Sequence, residues 1–145
     1  MGMEEFLAIP EAPLKDVLDP AIWVEPRDNL LVPEYDRQRE LINFLRRHAP
    51  KIFVFAIPNA TRSEQSKLRQ QREGAVYGAP DLVLTWVGGT GFIEMKNGKA
   101  APEQHQVAFL NRLARQGHHV AVCRTMERAV DWLRIVGAPV PAIRA

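Results

Sequence analysis

Asp81, Glu94 and Lys96 are the residues of this sequence whose types and spacing could carry chemistry together. Asp81 follows Pro80 and starts the apolar run DLVLTWV, while Glu94 and Lys96 lie two apart in GFIEMK, just beyond Gly88 and Gly89. Side chains alternate along a strand, so Glu94 and Lys96 share one face and Met95 takes the other. A Gly-Gly hairpin lays the two runs side by side, bringing two carboxylates and an ammonium to one end of a sheet. Glu34, opening an amphipathic stretch, offers a third carboxylate. Carboxylate and carbonyl oxygens suit hard cations such as Mg2+. Such an ion acidifies bound water and neutralises phosphate charge, and a nearby lysine orients the water or stabilises the developing oxyanion. That is the chemistry of phosphodiester hydrolysis. Glu-x-Lys alone is a weak signal, and its plain alternative is a cross-strand ion pair on a solvated face, worth about 0.5 kcal/mol. The weight comes from the assembly: GAPDL, then a hairpin, then FIEMK.

The elements that must hold these residues can be read from periodicity and punctuation. In EYDRQRELINFLRRH, residues 34–48, Tyr35, Leu41, Ile42 and Leu45 fall on one helical face with the arginines outward, and Pro50 stops the helix. KIFVFAIP is β-branched and aromatic and reads as a strand ended by Pro58. TRSEQSKLRQQREG predicts a short basic helix with Ser63 as N-cap and Gly74 as its stop. DLVLTWV and GFIEMK are two further strands. Pro102 opens a helix running to about Arg115, HHVAVCR is a buried strand, and MERAVDWLRIVG is the last helix. The order is an α/β one, with a mixed sheet carrying helices on its faces.

Composition excludes other classes. The chain has 145 residues, 46% hydrophobic and 25% charged, an ordinary globular balance with length for one core. The single cysteine, Cys123, excludes a disulfide framework and a cysteine-rich zinc site, and reads as core. His48, His105, His118 and His119 lack a third partner at zinc-ligand spacing. No apolar run approaches ~20 residues, and acids stand where a signal peptide carries positive charge, so a cytoplasmic protein without a membrane partner is expected. The net charge of +2 is unevenly spread: residues 1–33 carry seven acids against Lys15 and Arg27, and the remainder seventeen basic residues against ten acids. An arginine-rich body suits an anionic partner such as nucleic acid. Five prolines among residues 1–33 predict an extended arm that packs on its own body or on a second subunit, with Trp23 as an anchor. Its carboxylates serve either in a packing strap or as a cover over the basic groove.

Taken in order, these motifs resemble the PD-(D/E)XK nuclease superfamily, and most closely its VRR-NUC branch. The matching positions are Glu34 with Gln38, then Ile57-Pro58-Asn59 with Arg62, and then Gly74 through Leu82 around Pro80-Asp81. Ile93-Glu94-Met95-Lys96 and Pro102 with Gln104 complete the set. The resemblance runs over roughly residues 34–133, which sets a nuclease domain at 34–145 apart from the arm at 1–33. It implies a restriction-endonuclease-like fold with an α-β-β-β-α-β core and a Mg2+- or Mn2+-dependent deoxyribonuclease selective for junctions or flaps. Asp81 and Glu94 would be the principal metal ligands, with the Met95 carbonyl as a third oxygen and Glu34 as a further ligand, direct or through water. Lys96 would position the attacking water and the scissile phosphate. Gln104, or Gln106 with its better spacing to Phe109 and Leu113, would support Lys96 or touch the phosphate. Asn59, Arg62, Lys67, Arg69, Arg72 and Lys99 are the candidate DNA contacts, set against the plain reading of a solvated basic helix. The branch also implies a homodimer. Two alternatives stand beside this reading: a non-catalytic nucleic-acid-binding module and an RNA-directed nuclease.

Overall fold

The computed structural model describes residues 17–30, 32–58 and 63–142. Its strands are β1 (Trp23–Val24), β2 (Phe53–Ala56), β3 (Leu82–Trp86), β4 (Gly89–Met95) and β5 (His119–Cys123). Its helices are α1 (Glu34–His48), α2 (Glu64–Arg72), α3 (Gln104–Arg115) and α4 (Met126–Ile135). The strands form one mixed sheet in the order β1-β5-β4-β3-β2. β2 with β3 and β3 with β4 pair antiparallel, while β4 with β5 and β5 with β1 pair in parallel. This α/β sheet with flanking helices is the architecture expected from the sequence and is compatible with a restriction-endonuclease-like core.

Strand alternation divides the core between the two faces. Ile93 and Met95 of β4 join Leu82 and Leu84 of β3 under Leu41 and Leu45 of α1 and Ala129, Trp132 and Leu133 of α4. On the other face Val120 and Val122 of β5 pack with Leu110 of α3 and with Ile22. Cys123 is buried in the first cluster, and Trp132 with it. α2 buries none of its residues. Its ends are nevertheless well marked: Ser63 Oγ accepts from the Ser66 N–H at 3.1 Å, and Gly74 adopts φ +103° just past the helix.

Three local expectations shift. The hairpin loop is Val87–Gly88, because Trp86 pairs with Gly89. Gly88 takes the positive φ of +92°, and Gly89 lies in the strand where a Cβ would collide with the Trp86 indole. α3 starts at Gln104, two residues after Pro102, since Glu103 is its N-cap. In α1 the inward face carries Arg37, Leu41 and Leu45, and Tyr35 is exposed. Arg37 is drawn in by acceptors: Nη1 donates to Asp28 Oδ2 at 2.9 Å and to the Arg124 carbonyl at 2.8 Å.

The described part of the N-terminal segment packs on the chain's own body. Trp23 and Val24 pair with Ala121 and Val122, adding an edge strand, and the Arg128 guanidinium lies 5.7 Å over the Trp23 ring. Glu25 is buried, and its carboxylate accepts from the Arg124 N–H, from the Thr125 hydroxyl, and from the Thr125 N–H at 2.8 Å. The Arg124 side chain in turn donates to the Glu25 and Gly98 carbonyls at 3.1 and 2.7 Å. Among the described residues no helix is long and apolar enough to cross a membrane.

Candidate active site

The β3–β4 register builds the first half of the site. Leu82 stands opposite Ile93, so Asp81, one residue earlier, falls beside Glu94 on the face away from α1 and α4. Asp81 Oδ2 accepts from the Met95 N–H at 2.8 Å, which fixes its carboxylate at the end of the two strands. Glu94 pairs in register with Val122 of β5, on the face that α3 covers, and is 1% exposed. A cross-strand ion pair on a solvated face is therefore not what this sequence makes. Lys96, on the same face and also buried, has Nζ 3.8 Å from Glu94 Oε1. Glu34, first residue of α1, brings the third carboxylate, and one oxygen from each of Glu34, Asp81 and Glu94 lies within 4.8 Å of the others.

Gln106 comes from the opposite side. It occupies the third position of α3, where its Oε1 accepts from the Glu103 N–H at 2.9 Å. That bond decides the orientation of the amide, because a backbone N–H needs an acceptor. Its Nε2 is left facing Glu94 Oε1 and donates to it at 3.0 Å. Gln104 begins the same helix and is exposed.

Burial raises the proton affinity of all three carboxylates, and repulsion by a neighbouring carboxylate adds to it at Glu94 and Glu34. Burial first, then Asp81 and Glu34, push Glu94 up to about 9 against the pull of Lys96. Burial raises Asp81 too, opposed by the Met95 N–H, by the hydrogen bond shared with Glu94 and by Lys96. Glu34 is raised by burial and by Asp81. Glu94 Oε2 is buried and has no hydrogen-bond donor. Two things compensate such an oxygen: a proton held toward Asp81, or a cation. An all-oxygen set of three carboxylates fits a hard divalent ion.

The trio opens into a groove of about 610 Å³. Its walls include Ile57, Pro58 and Phe109, the segment 74–79 before β3, and Lys67, Gln70 and Gln71 of α2. Of the basic residues singled out in the sequence, Lys67 lines this groove. Arg69 and Arg72 are exposed on α2, Arg69 beside Glu73 at 3.2 Å. Lys99 lines a second cavity, of about 430 Å³, with Asp28 and Gly98. Asn59 and Arg62 lie outside the described residues. Tyr77 was missed by sequence reasoning, since a turn residue carries no periodic signal of what it faces.

A family model for the VRR-NUC domain matches residues 50–127, over half of the 145-residue chain. The match holds Asp81, Glu94, Lys96 and Gln106, and Glu34 lies upstream of it. No curated protein and no solved structure matches the chain. The family match agrees with the motif order and with the mixed sheet, and the chain belongs to the VRR-NUC domain family, with a nuclease-type function in DNA processing.

Proposed function

We propose that the protein is a divalent-metal-dependent nuclease that hydrolyses phosphodiester bonds in DNA, with selectivity for junctions or flaps. One observation carries the reading: Glu34, Asp81 and Glu94 bring oxygens within 4.8 Å of one another, and Glu94 Oε2 is buried without a donor. These three and the Met95 carbonyl would hold Mg2+ or Mn2+. When bound, the ion supplies charge neutralisation at the phosphate and a more acidic bound water. Lys96 presents its ammonium protons to a phosphate oxygen and to the attacking water. Gln106 holds the Glu94 carboxylate in one orientation, and Lys67 adds positive charge along the groove. A pure binding module has no use for three clustered carboxylates, which repel phosphate unless a cation sits among them.

The test is cleavage of labelled linear, single-stranded, flapped and four-way-junction DNA in Mg2+, Mn2+ or EDTA. Cutting is expected with either metal and not with EDTA. Asp81→Ala and Lys96→Ala should each lose about 100-fold or more in rate. Wild type that binds these substrates and never cuts them moves the chain to the binding-module reading, and preferential cutting of RNA moves it to the RNA-directed one. We further propose that residues 34–145 form the nuclease domain, with 1–33 as an arm, and that two copies act on a duplex, one site per chain. A monomeric mass in solution, with and without DNA, would remove the dimer.

A further inference from the structure

We propose that the groove beside the carboxylates receives an unpaired nucleobase, stacked on Tyr77, next to the phosphate to be cut. The inference rests on the nuclease reading above and names the substrate feature that this site selects. The groove has two chemically different parts. Its lining joins the carboxylates of Glu34, Asp81 and Glu94 to an apolar flank of Ile57, Pro58, Val76, Tyr77 and Phe109, with Lys67, Gln70, Gln71, His105 and Gln106 as further polar members. Phosphates and sugars are met by cations, amides and hydroxyls, so recognition of a backbone alone gives this flank nothing to do. Aliphatic and aromatic faces suit the flat face of a base. A paired base keeps its faces within the stack and cannot offer one, whereas an unpaired nucleotide can swing into a pocket. The volume, about 610 Å³, lies within the range of pockets that enclose small organic ligands.

Tyr77 is placed for this role. It is 46% exposed, and the neighbouring Val76 is 67% exposed, so the segment shows the groove an apolar surface that the fold has not consumed. Lys67 Nζ lies 5.8 Å from the centre of the Tyr77 ring, over its face. That ammonium is also 3.5 Å from Glu64 Oε1 on the exposed surface of α2, so a base laid on the ring takes the ammonium's place over the face and leaves it at hand for the phosphate. The segment is also held in place. Gly78 has φ +87°, and a Cβ there would collide with the His105 carbonyl oxygen, so this backbone abuts the first turn of α3. Gln106, in that same turn, donates to Glu94. Tyr77 and the carboxylates are thus referred to one rigid helix end.

The experiment measures binding in Ca2+, as a non-cleaving ion, to two oligonucleotides that differ in one position: 2-aminopurine unpaired in one and fully paired in the other. Wild type should bind the unpaired substrate more tightly and quench its fluorescence by stacking. Tyr77→Ala should weaken that binding about tenfold and abolish the quenching, with little effect on the paired duplex. Tyr77→Phe, which keeps the ring, should behave as wild type and shows that a loss in Tyr77→Ala is not a loss of folding. Equal weakening on both substrates, or none in Tyr77→Ala, overturns the proposal. Cleavage assays in Mg2+ separate the two readings. Stacking without cutting leaves the base pocket and removes the nuclease, while Tyr77-independent cutting of paired DNA leaves the nuclease and removes the pocket.

Discussion

Glu94 keeps its proton up to about pH 9, against an ordinary value of 4.5, because it is buried beside Asp81 and Glu34. Between those two pH values the folded chain holds a proton that the unfolded chain has released, so stability falls as pH rises. Asp81 and Glu34 are raised as well and act in the same direction. In EDTA the melting temperature should therefore drop between about pH 5.5 and pH 8.5, and Glu94→Gln should flatten the slope. Mg2+ should stabilise most at the alkaline end, where its ligands ionise readily. A melting temperature that climbs over this range in EDTA contradicts the assignment. Gln106 makes a second prediction, because one amide serves both the α3 cap and Glu94. Gln106→Ala should cost about 1 kcal/mol in urea unfolding and weaken Mg2+ binding about tenfold in calorimetry. Equal metal affinity in the variant would show that the hydrogen bond to Glu94 has no part in the site.

At the scale of elements, the question is what holds the first turn of α1 at the end of β3 and β4. Arg37 lies one turn beyond Glu34, 5% exposed, and donates to both Asp28 oxygens, to the Leu30 carbonyl and to the Arg124 carbonyl. This guanidinium holds Asp28 below the usual carboxylate range. It joins α1 to the segment before it and to the end of β5, and so fixes where Glu34 stands. Arg37→Met keeps much of the apolar stem and removes the charge, leaving the buried Arg124 carbonyl and the half-buried Asp28 carboxylate without this donor. We expect a loss of about 2 kcal/mol in urea unfolding, from the Arg124 carbonyl left without its donor, and weaker Mg2+ binding. A cost under about 1 kcal/mol with unchanged metal affinity would place the support of α1 elsewhere.

For the whole molecule, the charge split between the first 33 residues and the rest has a packing explanation where the chain is described. Asp19 lies 3.5 Å from Arg115, Asp28 pairs with Arg37, and Glu25 accepts three hydrogen bonds at the junction of β5 and α4. These carboxylates face their partners in the body, and the segment acts as a strap that closes the sheet with a fifth strand. Glu25→Ala should cost about 3 kcal/mol. That corresponds to a melting point lower by roughly 10 °C. DNA affinity should stay as it is. A rise in DNA affinity with unchanged stability would instead make the segment a cover over the groove.

Sequence alone determined the order of elements from α1 onward and the arrival of Asp81 and Glu94 at one end of two adjacent strands. Both are local matters: alternation marks the strands, and Ser63 and Gly74 mark the ends of α2. The exact register waited on the turn, since a Gly88–Gly89 loop would set Asp81 opposite Lys96 and the Val87–Gly88 loop sets it opposite Glu94. Glu34 could be nominated from its motif, but its approach to the pair depends on Arg37, whose acceptors come from two separate segments, residues 28–30 and Arg124. The choice of Gln106 beside Glu94 followed from where Glu103 caps α3 and from the parallel pairing of β4 with β5. Arg37 itself looks like a solvent residue by composition, and only the acceptors it meets in the folded chain turn it inward. The strap is the extreme case, since Glu25 meets a residue 99 positions away. Such contacts leave no periodic trace in the sequence, because their energy comes from satisfying buried polar groups that become neighbours only after the sheet and helices have packed.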